Sequence, residues 1–134
     1  MAYQFHKHYT REEARALLPK LRKWLKRLIE RARALEQQDE RLRTLLKPGS
    51  DLGGDLVNQW VKTLTDIKEL LLEFHRREIQ IKDLQRGLLD FPAILSGKEV
   101  FLCWEQAEDD VGFWHDLDAG FAGRQKLADN PTVR

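Results

Sequence analysis

The residues able to do chemistry crowd into the last third of this chain. The segment EVFLCWEQAEDDVGFWHDLDAGFAGR, residues 99–124, holds the single cysteine Cys103, the histidine His115 and seven acids. Asp83 and Asp90 lie just upstream. The run His115-Asp116-Leu117-Asp118 offers an imidazole nitrogen and two carboxylates, donor types that suit a divalent cation. The spacing is only weakly specific, because the chain has no HExxH and no paired CxxC. Asp90 or Glu105 beside His115 would orient the imidazole for general acid–base work. Cys103 beside His115 would be a nucleophile, although a cysteine inside VFLCW also has the setting of a small buried hydrophobe. His75 is a further group that folding could add.

Gly120-Phe121-Ala122-Gly123-Arg124 closes the segment. Its glycines permit a tight turn. Arg124 presents a planar fork of donors suited to a carboxylate or phosphate. An internal acid would serve equally, with Asp90, Asp116 or Asp118 tying the loop down. Neither GxxxxGK[ST] nor GxGxxG is present. The candidate ligand-binding set is therefore Asp90, Glu108, His115, Asp118 and Arg124. The candidate metal set is His115, Asp116 and Asp118. No motif identifies a cofactor.

The elements that must position these groups are legible from periodicity. Thr10 with Glu13 three residues on is a capping box. From there Ala14, Leu21, Leu28, Leu35 and Leu42 recur every seven residues, predicting a helix of about 50 Å that ends near Leu46. Pro19 either kinks that helix or marks its start. KPGSDLGGD breaks the pattern, and a second helix is expected from about Asp55 to Ile81. Beyond residue 82 the pattern becomes strand-like. Ser96-Gly97 fits a hairpin connection, with Val100, Leu102 and Trp104 on one face of the second arm and Glu99, Phe101 and Cys103 on the other. A third strand is expected over 111–115, with Val111, Phe113 and His115 on one side. The fold class is α+β, one domain over 1–134. A long antiparallel helical hairpin spans 10–81. A small antiparallel two- or three-stranded sheet with the Gly/Arg loop spans 82–125, and 126–134 reads as a flexible tail. The N-terminal segment with His6 and His8 also reads as mobile.

Bulk properties narrow the function classes. With 42% apolar and 34% charged residues the chain is neither disordered nor membrane-embedded. No run of 18 apolar residues exists, so no membrane span is expected. The N-terminus shows no apolar signal core, and one cysteine forms no internal disulfide, so a cytoplasmic setting is the default. A net charge of +1 argues against nucleic acid as the main partner. Charge is segregated, however: residues 20–33 hold seven basic side chains against only Glu30, and residues 99–120 hold seven acids with no lysine or arginine. Two leucine stripes of this length are poorly covered by one another, which suggests a homodimer.

The ordered set YTREEARALLPKL, IKDLQRGLLDFPAILSGKEVFLCW and FWHDLDAGFAGRQ resembles the small bacterial and archaeal proteins grouped as domain of unknown function 2203. The resemblance covers nearly the whole chain. It carries Asp83, Gly87, Asp90, Cys103, Glu108, His115 and Arg124 as family-pattern positions. The family pattern commonly has Gly-Glu before the WH pair, and this chain has Ala107-Glu108. The resemblance implies that Pro19 is tolerated within the early helix, and it brings no activity, ligand or partner. Three readings follow from the sequence. The first is a homodimeric protein-interaction or structural module. The second is an anionic-ligand or divalent-metal binding protein, an enzyme if the His115/Asp/Arg124 cluster is catalytic. The third is nucleic-acid binding through the basic first helix.

Overall fold

The computed structural model describes residues 2–45 and 54–128. Helix α1 runs Arg11–Leu45 and α2 runs Gly54–Arg76. Five strands follow: β1 Gln80–Asp83, β2 Leu88–Leu95, β3 Lys98–Trp104, β4 Phe113–Asp116 and β5 Gln125–Lys126. They form one antiparallel sheet in the order β1-β2-β3-β4-β5, each strand beside its sequence neighbour. The expected α+β arrangement is present, with two strands more than the largest sheet foreseen. The KPGSDLGGD connection up to residue 53, the helix end at Leu46 and the tail from 129 lie outside the described residues.

The capping box is formed. The Glu13 backbone N–H donates to Thr10 Oγ1 at 3.1 Å, and the Thr10 N–H donates to Glu13 Oε1 at 2.9 Å. Pro19 sits inside α1 without ending it. The residue is exposed, so water can take the Arg15 carbonyl that proline leaves without a donor. α1 buries Ala14, Leu18, Leu21, Leu25 and Leu28, spaced four, three, four and three. These pack on Leu89, Phe91 and Ala93 of β2, Val100, Leu102 and Trp104 of β3, and Leu70 and Phe74 of α2.

α2 ends at Arg76, not near Ile81. The Ile79 N–H donates to the Phe74 carbonyl at 3.1 Å and the Glu78 N–H to the His75 carbonyl at 3.0 Å. Glu78 has φ 57°. This is a Schellman stop, with Phe74 and Ile79 making its hydrophobic contact in the core. Glycine is the usual residue at that left-handed position, so the stop carried no sequence signal. Glu78 has a second use: its Oε1 accepts the backbone N–H groups of His6 and Lys7 at 2.8 and 2.7 Å.

The β2–β3 connection is the Ser96-Gly97 turn, with φ 51° and 77°. Both values are left-handed, as a two-residue hairpin requires. The N-terminal segment, expected to be mobile, is strapped to the sheet. Glu99 accepts the N–H groups of Gln4 and Phe5 at 2.8 and 3.0 Å and contacts His8 Nε2 at 2.6 Å. Burial pushes the Glu99 carboxyl up, and these hydrogen bonds more than offset it, leaving it below the usual carboxylate range. Lys126 and Leu127 are also ordered: Lys126 belongs to β5, and Leu127 is buried and donates to the Gly112 carbonyl at 2.8 Å.

Candidate functional site

The sheet is buried on both faces. Val100, Leu102 and Trp104 join the core against the helices, as alternation predicts. Phe101 and Cys103 point the other way, where Phe5 lies against Phe101 with ring centroids 5.3 Å apart. His115 shares that outer face. Val111 does not, because β4 starts only at Phe113 and Val111 turns into the helix-side core.

Three neighbouring strands each place one polar side chain at the same point of this outer face: Asp90 from β2, Cys103 from β3 and His115 from β4. Asp90 and Cys103 are direct register partners, and His115 is opposite Phe101, one pleat away. All three are buried, and their ligand-type atoms lie within 4.8 Å of one another. His115 Nε2 is 3.0 Å from Asp90 Oδ2, and Nδ1 is 2.7 Å from the Asp116 carbonyl. A carbonyl only accepts, so Nδ1 is the donor in that contact. Asp90 Oδ1 is buried, with no partner stronger than the neighbouring Cys103 thiol.

A cavity of about 270 Å³ opens on this group. Its lining includes Asp90, Cys103 and His115, with Lys82, Asp118 and Phe121. Burial, reinforced by the Asp90 carboxylate, pushes the Cys103 thiol up to about 12. Both ring nitrogens of His115 are engaged elsewhere, so the geometry does not make Cys103 an activated nucleophile.

The other sequence-derived candidates separate. Asp118 lines the cavity. Asp116 turns its carboxylate to Lys98, 2.6 Å away, so it does not join His115 and Asp118 through side chains. Arg124 pairs with Glu108, its Nη2 lying 2.9 Å from each carboxylate oxygen. None of Asp90, Asp116 and Asp118 is its partner. The guanidinium is held between the rings of Phe113 and Phe121, 3.7 and 4.6 Å from their centroids. Arg124 therefore clamps the loop that carries Asp118 to the turn after β3. Glu105 pairs with Arg86, and His75 is exposed on α2, so neither meets His115.

Opposite charges do meet at the other end of the acidic segment. Arg15 makes two 2.8 Å contacts with Asp110, holding that carboxyl below its usual range. Arg22 donates to the Gln106 and Glu108 carbonyls at 2.7 and 2.8 Å.

A family model described as an uncharacterized conserved protein, DUF2203, matches residues 7–127. The chain belongs to this family. The match spans both helices, the sheet and Arg124. No curated protein and no solved structure matches the chain. Among the described residues no helix is long and apolar enough to cross a membrane.

A second surface stands out on α2. Its inner side holds Thr63, Leu70 and Phe74. Its outer side exposes Val61, Leu64, Leu71 and Leu72, between 37% and 49% open. At about 100° per residue these four fall within a continuous arc of about 100° beside the buried one.

Proposed function

We propose that this chain is a homodimeric protein-interaction module, in which two helical hairpins pack through the outer face of α2 as a four-helix bundle. The observation that carries this reading is where burial stops. α1 buries nothing beyond Leu28 among its described residues, although Leu35, Leu42 and Leu45 continue its apolar stripe. In α2, Val61 and Leu64 lie opposite this stretch, where Trp60 bonds Asp39 and Arg31 pairs with Asp66, and are exposed; Leu71 and Leu72 extend the open face toward the sheet. A two-helix layer of this kind is half of a bundle.

A second copy suits the face because the seam is self-complementary. Val57, Val61, Leu64, Lys68, Leu71 and His75 are spaced four, three, four, three and four, the period of a coiled-coil seam. A two-fold axis through position 66 maps the seam onto itself. It sets Val61 against Leu71 of the other copy and Leu64 against the aliphatic stem of Lys68. The lone buried cysteine fits a reducing, cytoplasmic setting. Nucleic-acid binding has less support, since Arg22 is spent on backbone carbonyls and Arg31 on Asp66, 3.5 Å away.

Cysteine pairing tests the geometry. The double variant Val61→Cys/Leu71→Cys should form a covalent dimer under mild oxidation, while each single variant forms far less. Cys103 is buried and does not compete. A folded double variant that stays monomeric under oxidation would sink this packing.

A further inference from the structure

We propose that Asp90, Cys103 and His115 form a binding site for a single divalent zinc ion, independent of the dimer. The donor set is one carboxylate oxygen, one thiolate and one imidazole nitrogen, all types that zinc takes. Zinc bonds of about 2.0 Å to nitrogen and oxygen and about 2.3 Å to sulfur place tetrahedral donors roughly 3.3–3.6 Å apart. The Asp90–His115 separation of 3.0 Å and the 4.8 Å limit on the whole group bracket that spacing.

Two features point to a ligand here and not merely to a buried polar cluster. Asp90 is 2% exposed and lines the cavity, and its Oδ1 has no partner stronger than the neighbouring Cys103 thiol. A thiol is a weak donor, so a buried carboxylate oxygen left to it costs stability unless something completes it. His115 is also preset for coordination. Its Nδ1–H donates to the Asp116 carbonyl, which fixes the ring so that Nε2 faces Asp90. That outer hydrogen bond is the one metal-ligating histidines make.

The charges balance. Zinc binding displaces the thiol proton, and Zn²⁺ with a thiolate, a carboxylate and a neutral imidazole is neutral in sum, as a buried site requires. Three protein ligands leave a fourth position facing the cavity, open to water or a small ligand. Lys82 and Asp118 stand on the wall of that cavity.

The test uses the full chain without an affinity tag, stripped with chelator and then titrated with zinc alone and with cobalt alone. The expected result is one equivalent of metal. Cobalt should show a thiolate charge-transfer band together with the intense d–d bands of four-coordinate cobalt. Cys103→Ser should abolish the charge-transfer band, and Asp90→Asn and His115→Gln should each weaken zinc binding about 100-fold or more. Far-UV circular dichroism identifies variants that have unfolded. The wild-type cobalt spectrum decides the matter even if all three do. A wild type that takes up no stoichiometric metal overturns the site, as does metal bound without a thiolate band or equally well by the folded variants.

Discussion

Asp90 is the residue whose setting is hardest to explain by packing alone. It sits in LLDFPAIL, where every neighbour is apolar and all but Leu95 are buried, and beyond the Cys103 thiol only its Oδ2 is hydrogen-bonded, to His115. The sequence placed Asp90, His115 and Asp118 among the same candidates. It could not show that Cys103 completes the group, since cross-strand register depends on where each strand starts. Gly87 is a contrasting residue, important for shape and not for chemistry. It has φ +64°, and a Cβ there would lie 2.7 Å from Gln106 Cβ. Gly87→Ala should cost about 2–3 kcal/mol from strain and overlap together. Gly112→Ala, with open space around it, should be nearly neutral. Denaturant melts of the two variants side by side check this, and equal midpoints would refute the account of Gly87.

At the scale of elements, what could be read in advance followed local rules. The capping box, the Ser96-Gly97 turn and the two faces of β3 each depend on residues close in the chain. β1 was hidden because Glu78 occupies the place of the glycine that usually announces a helix end. β5 has only two residues and pairs with β4 from across the Arg124 loop, so it left no periodicity. Arg124's partner was missed for a similar reason: Glu108 reaches it only through the turn after β3. The N-terminal strap rests on Glu99, and its contribution depends on pH. The folded carboxyl lies below its unfolded value of 4.5. The stabilisation is therefore complete above that value and is lost as pH falls through the lower folded one. Wild type should lose stability as pH falls below 4.5, and Glu99→Gln should show a shallower loss from a lower starting point. Parallel slopes would mean that the strap is not held by this carboxylate.

For the whole molecule, the sheet covers only one end of the helical hairpin. The N-terminal half of α1 has β2 and β3 beneath it, whereas among the described residues the distal half has only α2. The same leucine period thus runs from a finished core into an unfinished one, which a second copy completes in the proposed dimer. An acid placed in that seam would have to be buried, at a cost of several kcal/mol. Leu71→Glu should therefore weaken association about 100-fold or more while leaving the helical content unchanged, because the side chain is 46% exposed within one chain. The most direct measurement is the solution mass by light scattering, over a dilution series, for wild type and Leu71→Glu. The dimer predicts twice the chain's 15.8 kDa for wild type and the single-chain mass for the variant at the same concentration. Wild type at the single-chain mass throughout, even at high micromolar concentration, would contradict the account.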